Sequence, residues 1–246
     1  MVLTNMIYTK VYHVSWEPKV LNMLSPKPDT LEVQNAIKNF NNLPNLQQNG
    51  RQKPFGEYPM SYPLEKGEAL AGIDIPCLVR SLNGSAEKKI MIIGEAPRRN
   101  RRSKNCIGHC TLGTPYAIRD YGFPKSCNVY KDIIDNLLED HIIYLTDAIK
   151  VWSDVRQIKL KPSPGERIIL KKEIDKEKPD KIVTFGKVAR ETVQGILGNN
   201  SQYDLCHLYH PSPRCRNHWK RKTQTSNVSQ AACNYIRSNS IVDMFK

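Results

Sequence analysis

Beyond residue 88 the chain alternates between two hydrophobic patterns. Short apolar runs recur at KIMIIG (89–94), IIYLT (142–146), KIVTF (181–185) and LCHLY (205–209). None shows the in–out alternation of a half-solvated strand, so each predicts a strand covered on both faces. Between the runs the apolar positions fall at helical spacing. YKDIIDNLLED sets Tyr130, Ile133, Ile134, Leu137 and Leu138 on one stripe, and KVARETVQGIL does the same with Val188, Thr192, Val193 and Ile196. SPGERIILKKEI opens with Ser163 as a cap and Pro164 in the first turn, and a last helix fits 228–237. Strands alternating with helices predict an α/β fold, a three-layer sandwich around a central, mostly parallel four-stranded sheet.

The first 85 residues read differently. Prolines recur from Pro18 to Pro76, around an Asn/Gln-rich stretch, NFNNLPNLQQNG. One helix is expected from Leu31 to Phe40, begun at Asp29 or Thr30. Residues 1–85 are therefore expected to form an extension packed on the main domain, residues 86–246.

Open parallel sheets bind ligands beyond the carboxyl ends of their strands. The residues that follow the four runs are Gly94-Glu95-Ala96-Pro97, Asp147-Ala148, Gly186-Lys187 and His210-Pro211-Ser212-Pro213. A glutamate, an aspartate and a histidine at three strand ends make a credible acid–base constellation.

Composition narrows the partner. Lys and Arg number 37 against 24 Asp and Glu, a formal charge of +13 over 246 residues. Such an excess favours a polyanion, nucleic acid before a membrane surface. No apolar run reaches the ~18 residues of a membrane span, and the N-terminus lacks the order of a signal peptide. Seven cysteines without that signal suggest reduced thiols. A cytoplasmic, DNA-binding monomer is the expectation.

GEAP (94–97), GTPYA (113–117), TDAIK (146–150), VTFGKVA (183–189) and HPSPR (210–214) stand in this order along the chain. Together they resemble the uracil-DNA glycosylase superfamily, closest to its bacterial and archaeal branch with a Gly-Glu-Ala-Pro-Gly first motif. The resemblance implies an enzyme that flips a nucleotide out of the helix and hydrolyses its N-glycosidic bond. It makes Glu95 the carboxylate that stabilises the sugar cation and orients water, and His210 the donor to the departing base. Gly94, Ala96 and Pro97 would line the base, and Tyr116 would stack on it. HPSPRCRNHWKR would form a loop pressed into the minor groove, with Ser212 and Pro213 compressing the backbone and Arg214 filling the gap. Arg99, Arg101, Arg102, Lys104, Lys187, Arg216 and Lys220 would meet phosphate.

The chain departs from the family in three places. Cys77 falls near a family cysteine, but Val151 stands where another is expected and 164–178 holds none. No iron–sulfur cluster, and no other cofactor, is therefore expected. Cys106, Cys110 and Cys127 match no tetrahedral zinc module, so thiols are preferred there. Arg98 replaces the glycine after Gly-Glu-Ala-Pro, where it could exclude a bulky base or bond to a polar substituent.

The third departure is Asp147, which replaces the base-reading asparagine. An amide both donates and accepts, whereas an ionised carboxylate only accepts. Asp147 would repel O4 of uracil but accept from the amine of a cytosine-type base. A modified cytosine in foreign DNA is the substrate this suggests. Uracil excision stands beside it, with Asn128 or Asn217 as other readers. A catalytically silent DNA-binding protein is the reading from another class, and retention of both Glu95 and His210 argues against it. Nucleotide binding is weaker still, because neither Gly-x-Gly-x-x-Gly nor a phosphate-binding Gly-Lys-Ser/Thr loop occurs.

Overall fold

The four apolar runs are strands and lie side by side in a single sheet. The computed structural model describes residues 6–11, 31, 47–48, 51–52, 57–60, 71–74, 76–81, 85–97, 110–113, 128–153, 161–198, 202–238 and 241–246. The main sheet contains β1 (Met6–Val11), β2 (Cys77–Ser81), β3 (Lys89–Gly94), β4 (Ile142–Asp147), β5 (Lys181–Phe185), β6 (Asp204–Leu208) and β7 (Val242–Asp243). Its order is β1-β2-β4-β3-β5-β6-β7. Strands β3 to β7 are parallel, while β2 runs antiparallel to β4 and β1 antiparallel to β2.

The parallel middle is the expected one, but the sheet has seven strands rather than four. Two of the additional strands flank the proline-rich stretch: β1 is the sheet edge, β2 lies between β1 and β4, and both mix polar residues into runs too short to stand out. The third, β7, is two residues long and too short for any periodicity. A second sheet, ordered Val151–Ser153, Ala71–Asp74, Cys110–Gly113 and Glu57–Met60, lies outside the sequence expectation. Of the helix expected over 31–40, only Leu31 is among the described residues, and it is helical.

Among the described residues, the sheet is covered by α1 (Asn128–Leu137), α2 (Pro164–Glu177), α3 (Lys187–Leu197), α4 (Arg216–Thr223) and α5 (Val228–Arg237). Successive strand residues point to opposite faces. On one face Ile90, Ile92, Ile143, Leu145, Val183 and Phe185 pack with Ile133, Leu137, Trp219 and Ala232 from α1, α4 and α5. On the other, Met91, Ile93, Tyr144 and Ile182 meet Leu170 and Ile174 of α2 and Ala189 and Val193 of α3. Each fully buried Ile or Leu contributes roughly 1.5–3 kcal/mol over exposure, and this burial on both faces accounts for the unalternating runs.

Local signals agree with these boundaries. Ser163 caps α2: its Oγ accepts from the Glu166 amide at 3.3 Å, and the Glu166 carboxylate accepts from the Ser163 amide at 2.7 Å. Pro164 occupies the first turn, where its missing N–H costs nothing. The segment expected as a DNA-facing loop, HPSPRCRNHWKR, is corrected: Pro213–Cys215 forms one 3-10 turn and Arg216 opens α4. Lone Trp219, fully buried among charged neighbours, is what makes that stretch a helix packed on the sheet.

Candidate active site

Strand β3 is flanked by β4 on one side and β5 on the other. The chain leaves β3 for β4 and later crosses back to β5, so the carboxyl end of β3 is the point where the strand order reverses. In such sheets that point is the ligand crevice, and here it holds Glu95. Main-chain bonds zip the β3 and β4 ends together, from Ala148 N–H to the Gly94 carbonyl (2.9 Å) and from Ile149 N–H to the Glu95 carbonyl (3.0 Å).

Alternation turns the Glu95 side chain toward α3. Its Oε1 accepts from the Val188 amide at 3.3 Å. The N-cap of α3 is Gly186, which supplies no side-chain cap of its own, so Glu95 caps the helix from a neighbouring strand. A Cβ on Gly186 would lie 2.5 Å from that oxygen. Gly186 also has φ 95° and ψ 166°, a backbone region open essentially to glycine alone. The carboxylate is therefore fixed by a helix terminus below it and by the absence of a side chain beside it.

His210 lies beyond β6 and is held from three directions. The Ser212 amide points at Nδ1 (3.2 Å), the Tyr130 hydroxyl contacts Nε2 (2.7 Å), and the Trp219 indole N–H donates to the His210 carbonyl (3.3 Å). An amide can only donate, so Nδ1 accepts and the neutral ring carries its proton on Nε2. This tautomer is assigned from its partners, and its one N–H faces the Tyr130 hydroxyl. Tyr130 packs edge-on against Phe185 (centroids 5.5 Å apart) and against the His210 ring (5.3 Å).

Asp147 ends β4 opposite Gly94 and is buried. By alternation it shares a sheet face with Leu145, and so with Phe185 and Tyr130. Its backbone N–H donates to Asp74 Oδ2 at 3.1 Å. Behind it lies a buried polar cluster. Lys150 Nζ contacts Asp74 (3.1 Å), Glu173 (2.9 Å) and the Thr146 hydroxyl, and that hydroxyl lies within reach of both carboxylates, 3.1 Å from Asp74 and 2.8 Å from Glu173, with one proton to give. Burial pushes the Asp74 carboxyl up to about 6, with the Lys150 ammonium opposing that rise. Burial alone would discharge Lys150, but Glu173 and Asp74 outweigh it and hold the ammonium above its ordinary range.

The structure thus gathers Glu95, Gly94, Ala96, Pro97, Asp147 and His210 at neighbouring strand ends, with Ser212 bonded to the histidine. Lys187 is exposed at the start of α3, 3.6 Å from Glu191. Arg214, Arg216 and Lys220 are exposed along the 3-10 turn and α4, as is the alternative reader Asn217. Pro213 begins the 3-10 turn, and Asn128 begins α1. Arg98, Arg99, Arg101, Arg102, Lys104, Tyr116, Cys106 and Cys127 lie outside the described residues, and Cys110 lies on a strand of the second sheet. Among the described residues no cluster of three or more His, Cys, Asp or Glu side chains could hold a metal ion. None of the described helices is long and apolar enough to cross a membrane.

Sequence reasoning missed three contributors. Tyr130 is legible only as one more residue on the apolar stripe of α1. Trp219 gives a signal, a single large aromatic in a basic run. Asp74 gives none, because its partners lie 72 to 99 positions away.

The sandwich, with a glutamate, an aspartate and a histidine at its strand ends, defines an α/β domain whose crevice lies at the carboxyl ends of its strands. A family model described as the uracil DNA glycosylase superfamily matches residues 83–233, more than half of the chain. The chain belongs to the uracil-DNA glycosylase superfamily. No curated protein matches it.

Proposed function

We propose that this chain is a monofunctional DNA glycosylase that flips a pyrimidine nucleotide and hydrolyses its N-glycosidic bond. The observation that carries the reading is the pairing of a helix-anchored carboxylate, Glu95, with a neutral, Nε2-protonated His210 at neighbouring strand ends. Family membership supports DNA as the partner, and the charge of +13 agrees with it.

In this mechanism the C1′–N1 bond breaks and its electron pair leaves with the base. Glu95 faces the cation that develops on the sugar and orients a water, whose oxygen bonds to C1′. His210 directs a hydrogen-bond donor at the base's carbonyl oxygen, where negative charge accumulates. The hydroxyl of the water stays on the sugar and its other proton ends on the base, leaving an abasic site. Ser212, Pro213 and Arg214 grip the backbone, and the exposed cations of α4 meet phosphate.

The base we propose is a cytosine-type pyrimidine, modified so that the host's own cytosine is spared. Such an enzyme would act on foreign DNA. Support comes from Asp147, a buried carboxylate at the position from which the superfamily reads the base. Duplexes carrying uracil, hydroxymethyluracil, cytosine, hydroxymethylcytosine or glucosylated hydroxymethylcytosine test the reading, with released bases identified by mass spectrometry. Release of a cytosine-type base is expected. Release of uracil alone would leave a uracil-excising enzyme, and intact DNA throughout would leave a silent DNA-binding protein.

A further inference from the structure

We propose that Tyr130 is a second catalytic residue, and that its hydroxyl rather than the imidazole meets the departing base. The inference rests on the glycosylase reading and deepens it. The Ser212 amide occupies Nδ1 of His210, so the ring has one proton to give, on Nε2. That proton points at the Tyr130 hydroxyl oxygen, 2.7 Å away. A base oxygen reaching His210 directly would have to displace Tyr130.

Packing resists such displacement. Tyr130 sits on the buried stripe of α1, one turn before Ile133 and Ile134. Its ring lies nearly perpendicular to that of Phe185, at 89°, and to that of His210, at 77°. Phe185 is fully buried, so the Tyr130 ring packs against a fixed partner. The economical arrangement is a relay in which Nε2–H donates to the phenol oxygen and the phenol O–H donates to the base. Hydrogen bonds in such a chain polarise one another, so His210 strengthens Tyr130 as a donor. As the glycosidic bond breaks and its electron pair moves into the base, the carbonyl oxygen gains charge and the phenol bond tightens. No proton needs to cross the relay, because the proton that finally resides on the base comes from the water.

The sheet geometry agrees with this assignment. Asp147 shares a face with Phe185, against which Tyr130 packs, so the reader of the base's polar edge and the phenol lie on one side of the sheet. Glu95 points to the opposite side, toward α3. Leaving-group contacts and the water-orienting carboxylate are thus separated across the crevice.

The test compares the wild-type chain with Tyr130→Phe in single-turnover assays. Both are assayed on the base that the wild type releases and on that base's 6-aza analogue, which leaves any substituent at C5 in place. The added ring nitrogen withdraws electrons and makes the departing anion more stable, so it needs less help from a donor. Expected is a fall of about 10²-fold on the ordinary base, the usual cost of deleting one such donor, with a clearly smaller fall on the 6-aza base and little change in the half-saturating enzyme concentration. A merely structural role predicts equal falls on both bases, and that result overturns the relay. Unchanged or increased activity in Tyr130→Phe overturns it as well, by showing that the base reaches His210 directly. Failure of the wild type to release any base overturns the glycosylase reading, and with it this inference. A thermal melt of Tyr130→Phe within a few degrees of wild type excludes misfolding as the source of any fall.

Discussion

The carboxylate of Glu95 occupies the space that a side chain on Gly186 would need, 2.5 Å from where its Cβ would stand. One residue supplies the charge and the other supplies the room, and they come from adjacent parallel strands. Gly186→Ala therefore carries two penalties. Alanine is strained at φ 95°, by about 1–3 kcal/mol, and its methyl group must drive Glu95 off the amide of Val188. A drop in stability of that size is expected in urea melts, with at least a ~10²-fold fall in single-turnover rate, since small misplacements of a catalytic group are costly. Glu95→Gln separates the two effects. It should keep the fold, because an amide oxygen can still accept from Val188, while losing the rate.

Trp219 offers a test of how His210 is held. Trp219→Phe keeps most of the buried ring but removes the indole N–H that binds the His210 carbonyl. A stability decrease of about 1–3 kcal/mol is expected from the altered packing and the unpaired carbonyl. The rate should fall with KM little changed, because the histidine backbone shifts while the basic surface of α4 is untouched. A variant that melts early yet turns over at the wild-type rate would show that Trp219 supports only the core.

Much of this architecture is legible in the sequence, for a simple physical reason. Strands buried on both faces must be continuously apolar, and helices packed on one face must carry a stripe. Ile90 to Ile93 and Ile133 to Leu138 thus announce their environment residue by residue. Glu95, Asp147 and His210 are legible because a parallel sheet exposes its strand ends. Other features depend on pairings that no local pattern encodes. The partner of Lys150 is Asp74, 76 positions away, and the phenol of Tyr130 meets a ring 80 positions on. Edge strands such as β1 pair on one side only and need no apolar signature. Helix α4 is hidden because seven of its eight residues are polar and a single buried tryptophan holds it down.

Asp147→Asn addresses the choice of base directly. The substitution keeps the shape and restores a group that both donates and accepts. In the substrate panel, uracil release should rise relative to cytosine-type bases by about 10²-fold or more, since mismatched buried polar groups discriminate strongly. The backbone bond from residue 147 to Asp74 does not involve the exchanged atoms, so that bond is retained. An unaltered ratio of bases would remove Asp147 from base reading and direct attention to Asn128 or Asn217.

Arg216 and Lys220 lie exposed on α4, which also carries Arg221 and Lys222. If both meet phosphate, Arg216→Gln with Lys220→Gln should weaken duplex binding regardless of sequence. The slope of log K against log salt should become shallower by about 0.9 for each phosphate no longer neutralised. Fluorescence anisotropy across a salt series reads this, and an unchanged slope would assign phosphate binding to other cations.

The Asp74–Lys150–Glu173 cluster gives stability a pH signature. Burial raises the Asp74 carboxyl to about 6 from an ordinary value of 3.8. Between those values the folded protein binds a proton that the unfolded chain does not, so this group stabilises the fold as pH falls. Its contribution is complete below about 4 and disappears as pH rises through about 6. His207, held neutral by burial and bonded to Thr184 at 2.7 Å, acts in the opposite sense, since its contribution disappears on acidification. Asp74→Asn isolates the carboxyl, because His207 is common to both proteins. The stability of the wild type relative to Asp74→Asn should therefore increase between about pH 7 and pH 5 in urea melts. A difference that stays constant or shrinks would show that Asp74 remains ionised beside Lys150 throughout that range.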